Sequence, residues 1–353
     1  VQILTVNVGS SSVKLDRFDG AGEIPRHLGT MRLPPDAPLP DTLGTPAVLV
    51  HRVVHGGGLA RPTRIDAGVE QHIETCAPLA PLHNPPALAM IRACRQRFGA
   101  QVPQIAVFDT AFFADLPAVA RTYALPQALT QAHAIRRHGF HGIAHQALWR
   151  AWQARTGGGR IVTLQLGAGC SAAAIADGRP LDTSMGFTPL EGLVMATRCG
   201  DVDPGLLLYL QRATGLDATQ MDELLGRQSG LLGIAGSADM AALLADPSPQ
   251  ARLAVDLYCQ RIRKYIGAYA AVLGGLDGIV FGGGVGEHTP AVRARVLADM
   301  QWLGVHLDET ANAATGTGAR ISTTDSACPA WVFEVNEAGE LARAGQQWLA
   351  GTD

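Results

Sequence analysis

Two stretches of this chain, half its length apart, follow one plan, and a plan used twice leaves few folds open. The first is Ile3-Leu4-Thr5-Val6-Asn7-Val8-Gly9-Ser10-Ser11-Ser12-Val13-Lys14. Its apolar, β-branched run reads as a buried strand. The run stops at Gly9, three hydroxyls follow, and Val13-Lys14-Leu15-Asp16-Arg17-Phe18 alternates as a second strand. The second stretch is Ile161-Val162-Thr163-Leu164-Gln165-Leu166-Gly167-Ala168-Gly169-Cys170-Ser171, after which Ala172 to Ala176 returns as a strand. Ile3, Thr5 and Gly9 fall on Ile161, Thr163 and Gly167 at one constant offset. A turn of small residues aims backbone N–H groups and hydroxyls at one point, which suits a phosphate. Lys14 adds a positive charge, so Ser10, Ser12 and Lys14 are candidate ligands. Taken alone, the first stretch is equally an ordinary Ser-rich hairpin turn. It is not a P-loop, because G-x-x-x-x-G-K-[ST] is absent and a strand, not a helix, follows the turn. A phosphate-type hairpin present twice implies a duplicated fold with a site between its halves.

With 353 residues the chain has room for two domains with real cores. An apolar content of 47% argues against disorder. A formal net charge of -3, without a basic block, argues against nucleic acid as a partner. Six cysteines without a C-x-x-C fit reduced thiols in a cytoplasm better than a disulfide framework or a zinc site. No signal peptide is expected ahead of the first strand. The apolar stretch from Ala268 to Val285 is broken by Gly274, Gly275 and Asp277, so it reads as a helix end and a buried strand, with no membrane span.

Residues 30 to 45 are rich in proline and read as an irregular connection. A strand is expected over Ala47 to Val54, a proline-braced loop over Leu79 to Pro86, and a helix from Ala87 to Phe98. Ile105 to Phe108 is a short buried strand with Asp109 at its C-terminal end, where α/β sheets hold ligands. His138-Gly139-Phe140-His141-Gly142-Ile143-Ala144-His145 invites a zinc reading, but Gly139 and Gly142 speak against a regular helix face there. Leu181 to Gly200, with Gly186, Pro189, Glu191, Gly192 and Arg198, reads as a strained loop that lines a site; a plain surface connector is the alternative. A long amphipathic helix is expected over Gln250 to Leu273 and a buried strand over Gly278 to Phe281. Gly282 to Gly286 then reads as a turn into a helix capped by Thr289 with Pro290 at its first position, a plausible phosphate or nucleotide site. A last strand, Ala330 to Val335, and a final helix close the chain.

Nearly the whole chain resembles the acetate kinase family of the sugar kinase–Hsp70–actin superfamily. The resemblance is carried by Asn7 to Lys14, His51-Arg52-Val53-Val54-His55-Gly56-Gly57, Pro81 to Pro86, Val107 to Phe112 and His138 to Gly142. It continues through Asp182 to Gly192, Thr197-Arg198-Cys199-Gly200, Gly284-Val285-Gly286-Glu287 and Asn336-Glu337. It implies two duplicated actin-like (ribonuclease H-like) α/β domains with the active-site cleft between them. Residues 1–113 with the helix 339–353 would form the N-terminal domain, and 114–338 the nucleotide-binding domain.

The implied activity is reversible transfer of the ATP γ-phosphoryl group to acetate, giving acetyl phosphate and ADP, with magnesium (or manganese) as cofactor. Arg52 and Arg198 would grip the carboxylate and the phosphoryl group, bidentately where the planar guanidinium allows. His141 would stabilise the transition state. Asp109 would be the catalytic carboxylate, read here as an orienter and a metal or water ligand more than a base, because a carboxylate substrate is already ionised. Asn7 and Glu337 would lie near the metal, and Val54, Leu82, Phe140 and Pro189 around the methyl group. Gln165, Leu166, Gly167, Ala168 and Gly169, with Gly284, Val285, Gly286, Glu287 and His288, and with Asp239, Met240 and Ala241, would hold the nucleotide. A homodimer is implied, with no membrane partner.

The sequence also departs from the family. Gln165, Ala168 and Cys170 stand where histidine, asparagine and serine are usual, and Met240 and Ala241 replace an aromatic residue and an arginine. The connection before Arg52 is short. The expectation is therefore an active enzyme with altered nucleotide handling. The rivals are a propionate or butyrate kinase and a nucleotide-binding member that transfers nothing.

Overall fold

The runs that end at Val8 and at Leu166 are the inner strands of two sheets. The computed structural model describes residues 1–9, 12–35, 37–314 and 316–351, so Ser10 lies outside the described residues. The chain divides into two units. The first comprises Val1–Asp115, Phe140–Ala147 and Asn336–Asp353; the second comprises Leu116–Gly139 and Leu148–Val335.

The first unit is built on strands β1 (Gln2–Val8), β2 (Val13–Asp19), β3 (Arg26–Leu33), β4 (Val48–Val53), β5 (Thr63–Arg64) and β6 (Gln104–Phe108), in the order β3-β2-β1-β4-β6-β5. β1 and β2 form an antiparallel hairpin closing at Val8 opposite Val13, while β1, β4 and β6 run parallel. Parallel strands covered on both faces need apolar residues on both. Leu4, Val6, Leu15 and Leu49 pack with Met90, Cys94 and Phe98 of the helix Asn84–Phe98. Ile3, Val48, Val50 and Ile105 pack on the opposite face with Ile143, Leu341 and Ala342.

The second unit has β7 (Arg160–Leu166), β8 (Cys170–Ala176), β9 (Arg179–Thr183), β10 (Gly278–Gly282), β11 (Ala319–Arg320) and β12 (Ala330–Val332). Read from β9, their order is β9-β8-β7-β10-β12-β11, with the same alternation of antiparallel and parallel pairs as in the first sheet. The fold is α/β with two similar domains. The faint repeat in the sequence marks the inner hairpin of each.

The structure corrects several boundaries. β3 occupies the start of the expected irregular stretch, through ladder pairing with β2 as far as Leu33. The helix Asn84–Phe98 begins inside the proline-braced loop, with Pro85 and Pro86 in a first turn that needs no N–H from them. Gly142 does not break a helix but opens one, Gly142–Thr156. The glycine run after β10 is itself a short helix, Gly283–His288, and Thr289 makes no side-chain cap to the helix Pro290–Leu297 that follows. The last strand stops at Val332. Residues 140–147 join the first unit because Ile143 packs into its core. Among the described residues, no helix is long and apolar enough to cross a membrane.

Candidate active site

In the first unit β4 and β6 end side by side, with Val53 opposite Phe108, which puts Arg52 next to Asp109. Asp109 is fully buried. It accepts both arms of the Arg52 fork, from Nε to Oδ1 at 3.1 Å and from Nη2 to Oδ2 at 2.7 Å. Arg52 Nη1 reaches Asn7 Oδ1 at 3.3 Å and Glu337 Oε2 at 3.2 Å, and Asn7 Nδ2 donates to the same Glu337 oxygen at 2.9 Å. The end of β1, β4, the end of β6 and the first turn of the last helix thus converge on one guanidinium. Burial opposes its charge, but Asp109 and Glu337 outweigh that, so Arg52 is held protonated above its ordinary range. The fork faces Asp109 and Nη1 faces Asn7 and Glu337, which leaves one N–H of Nη2, so the expected bidentate grip by Arg52 on a substrate carboxylate would require it to exchange partners.

His141 is tied to the backbone of Asp109 through its neighbour Gly142. Gly142 N donates to Asp109 O at 2.9 Å, and a Cβ at Gly142 would lie 2.1 Å from that oxygen. His141 itself has φ +57°, in the left-handed region. A non-glycine residue held there stores backbone strain, which clusters at functional positions. His138 and His145 are structural instead. Burial holds His138 down to about 4, with Arg136 adding to the effect, and His145 down to about 3, so both are neutral near pH 7. No cluster of three or more His, Cys, Asp or Glu that could hold a metal occurs among the described residues.

Of the expected methyl-pocket residues, Val54 and Phe140 are buried, and the Phe140 ring meets His55 edge-on at 5.5 Å. Leu82 is 40% exposed, and Pro189 belongs to the second unit. The loop that carries Leu82 is held by buried Asn84, whose Oδ1 accepts from His55 N at 3.1 Å and whose Nδ2 donates to His55 O at 3.0 Å. Ser12 lies at the β1–β2 turn, where its carbonyl accepts from Gly9 N at 2.9 Å, so that N–H is not free for a phosphate. Lys14 stands opposite Asn7 in the ladder and pairs with Asp16 at 3.4 Å.

In the second unit the ends of β7 and β10 meet, with Gln165 opposite Gly282. Gln165 Oε1 is buried without a hydrogen-bond partner. Gly283 has φ +76°, and a Cβ there would lie 2.6 Å from Leu166 O and 2.9 Å from Gln165 Nε2, so only glycine lets these two turns close together. Ala168 O accepts from Ala196 N at 3.1 Å, and Gly167 N donates to Gly169 O at 3.1 Å. Glu287 turns inward: its Oε1 accepts from Gly283 N at 2.9 Å and from Val335 N at 3.0 Å, so it braces the glycine turn. His288 is largely exposed. Val285 and Gly286 lie on the same short helix, as does Gly284, whose Cβ position faces open space. Asp239 is exposed and caps the helix Met240–Ala245, its Oδ1 accepting from Ala241 N at 2.8 Å, while the Met240 side chain is buried. Arg198 donates to Pro189 O at 2.9 Å and has no carboxylate partner among the described residues. Burial lowers its pKa.

The Acetokinase family matches residues 42–343. The chain belongs to this family. An acetate kinase of Chloroherpeton thalassium is 46% identical over 305 residues, spanning 83% of this chain and 73% of that protein. One of Solibacter usitatus is 46% identical over 314 residues, 85% of this chain and 75% of that protein. The crystal structure of Porphyromonas gingivalis acetate kinase matches at TM-score 0.87 and 34% identity, covering 99% of each chain. That of a propionate kinase from Francisella tularensis subsp. tularensis matches at TM-score 0.87 and 32% identity, covering 97% of this chain and 98% of the other.

This acetokinase is a phosphotransferase with a carboxyl group as acceptor, and a kinase of this kind implies a divalent metal. Asn7, Asp109 and Glu337 offer hard oxygen donors of the type magnesium takes, one or two carboxylates being usual beside phosphate and water. Glu337 Oε2 is shared between Asn7 and Arg52, while Oε1 enters no hydrogen bond of the first unit, so the residues fit a metal held largely by its phosphate ligands. The reading of the sequence missed Asn84 and buried Arg293, and it named Glu287 for the nucleotide without its bracing of the glycine turn. Arg293 Nη1 donates to Gly286 O and Glu287 O, each at 2.9 Å, and so closes the C-terminal end of the glycine helix. Its helix, Pro290–Leu297, also carries Arg295, so its charge gave no distinct signal.

Proposed function

We propose that this acetokinase transfers the γ-phosphoryl group of ATP to acetate, reversibly, giving acetyl phosphate and ADP. The observation that supports this best is the Arg52–Asp109–Asn7–Glu337 constellation, with strained His141 adjoining Asp109 through the backbone. A carboxylate oxygen attacks the γ-phosphorus, the bond to the β-phosphate oxygen breaks, and ADP leaves with the electron pair. Such transfer needs position and charge neutralisation, not a strong base. Asp109 holds the Arg52 fork in place, and the remaining N–H of Arg52 Nη2 receives the anionic substrate. His141 donates a hydrogen bond to the phosphoryl oxygens, and Arg198 neutralises charge on the same group. Asn7 and Glu337 would hold the magnesium ion, which would supply neutralisation of charge on the phosphates. Gln165 to Gly169 and Gly282 to Gly286 receive the nucleotide through backbone groups.

Val54 and Phe140 select a short acid, and half-exposed Leu82 leaves propionate as a poorer substrate. Each methylene changes discrimination by about 1–3 kcal/mol. The enzyme works in the cytoplasm, consistent with six unpaired cysteines, and as a homodimer. Support for the dimer is the helix Pro204–Thr214, which has no buried residue although it carries Leu206, Leu208 and Tyr209, exposed by 45%, 55% and 60%. An apolar helix of this kind is ordinarily covered.

The test is formation of acyl phosphate, trapped as the hydroxamate, from acetate, propionate or butyrate with ATP and magnesium. Acetate should give the highest kcat/KM and propionate about 10-fold less. Absence of hydroxamate with every acid would overturn the reading in favour of a nucleotide-binding protein without transfer.

A further inference from the structure

Arg198 sits on a segment without helix or strand, residues 184–203, so its aim depends on what fastens that segment. Its Nη1 donates to the carbonyl of Pro189. Two residues beyond Pro189, Glu191 is gripped from both sides. Its Oε2 accepts from Tyr123 Oη at 2.5 Å, and its Oε1 accepts from Arg137 Nη2 at 2.5 Å. Tyr123 Oη also accepts from Phe187 N at 2.8 Å. Arg137 Nη1 donates to Thr183 O at 3.2 Å and Ser184 O at 3.4 Å, and its guanidinium lies over the Tyr123 ring at 5.5 Å. The backbone N–H groups of His138 and Gly139 donate to Gly186 O. Gly186 must be glycine for this grip to close, because a Cβ there would lie 1.7 Å from Glu191 Oε2 and 2.1 Å from Tyr123 Oη. A carboxylate held by a guanidinium and a phenol at these distances makes strong, charge-assisted hydrogen bonds.

We propose that Glu191, held by Tyr123 and Arg137, is a positioning residue that fixes the Pro189 turn and through its carbonyl the orientation of Arg198. This rests on the reading of Arg198 as the residue that neutralises the transferring phosphoryl group. Glu191 touches no reactant; it acts by keeping a guanidinium on target, and small misplacements of such groups cost on the order of 10²-fold in rate.

The experiment compares Glu191→Gln and Tyr123→Phe in the native enzyme and in Arg198→Ala, with kcat and KM for acetate and ATP and the thermal midpoint measured for each. In the native background both changes should lower kcat by about 10- to 100-fold while either KM moves less than about threefold. In Arg198→Ala neither change should lower kcat further by more than about twofold, because the group they position is gone. Should Glu191→Gln fail to fold, Tyr123→Phe carries the comparison alone. A near-native kcat in both variants overturns the proposal, as does an equal loss in the two backgrounds. If Arg198→Ala alone keeps near-native kcat, the reading of Arg198 falls, and the proposal with it.

Discussion

Arg52 and Arg198 bring the same guanidinium into opposite electrostatic settings. Arg52 is surrounded by Asp109 and Glu337 and is charged whether or not a ligand is present. Arg198 has only a carbonyl, so burial works against its charge until an anion arrives. Arg198→Ala should therefore lower kcat by on the order of 10³ or more, with KM changing less. Steady-state kinetics with acetate and ATP check this, and a near-normal kcat refutes the assignment. Asp109 was legible in the sequence because it closes an apolar strand. Asn84 and Arg293 were not, because most of their partners are backbone atoms that no local pattern announces. The resemblance named Asn7 and Glu337, which are 330 residues apart and 2.9 Å from each other in the fold.

The doubled hairpin set the sheet order, because an antiparallel pair beside parallel strands has few ways to be built twice. Element ends were less legible. Proline and glycine were read as breaks, yet Pro85, Gly142 and Gly283 each open a helix, since a first turn needs neither the N–H that proline lacks nor a side chain. The β7–β8 turn is also where we propose that donor affinity is set. Gln165 Oε1 is buried and unpartnered, and Gln165 carries no positive charge where a histidine could. Ala168 offers no side-chain amide. Changing Gln165→His together with Ala168→Asn should lower KM for ATP by about 10-fold, as a hydrogen bond to a charged group contributes roughly 1.5–3 kcal/mol. An unchanged KM for ATP would remove these two positions from donor binding.

The molecule as a whole should be acid-sensitive for a reason unrelated to catalysis. Burial depresses His145 to about 3 and His51, despite its hydrogen bond to Gln104, to about 4, against an ordinary value of 6.5. Between those values the unfolded chain binds protons that the folded one refuses, so stability rises with pH there and falls on acidification. At pH 5 each histidine should have removed roughly 2 kcal/mol. Thermal midpoints should drop from pH 7 to pH 5, and His145→Gln should shrink that drop; an unaltered slope would refute it. Assembly is testable on the same scale. Leu208→Glu, on the exposed helix Pro204–Thr214, should convert the dimer to monomer in sedimentation, and an unshifted dimer would place the interface elsewhere.

The last helix, Glu337–Leu349, has a consequence for how the protein is made. Leu341 and Ala342 fill the core against Ile3, Val48 and Val50, and Gly345 lies so close to the sheet that a Cβ would come within 2.6 Å of Val50. That face of β1 and β4, which end at Val8 and Val53, is translated long before the helix that covers it, and stays uncovered until that helix follows. Glu337 is on the same later segment. A nascent chain therefore has to shield an open apolar surface until residues 337–349 are made. Chains that stop short of this helix would leave that surface bare and Arg52 without one of its two carboxylates, and they would be chaperone clients, not weak enzymes.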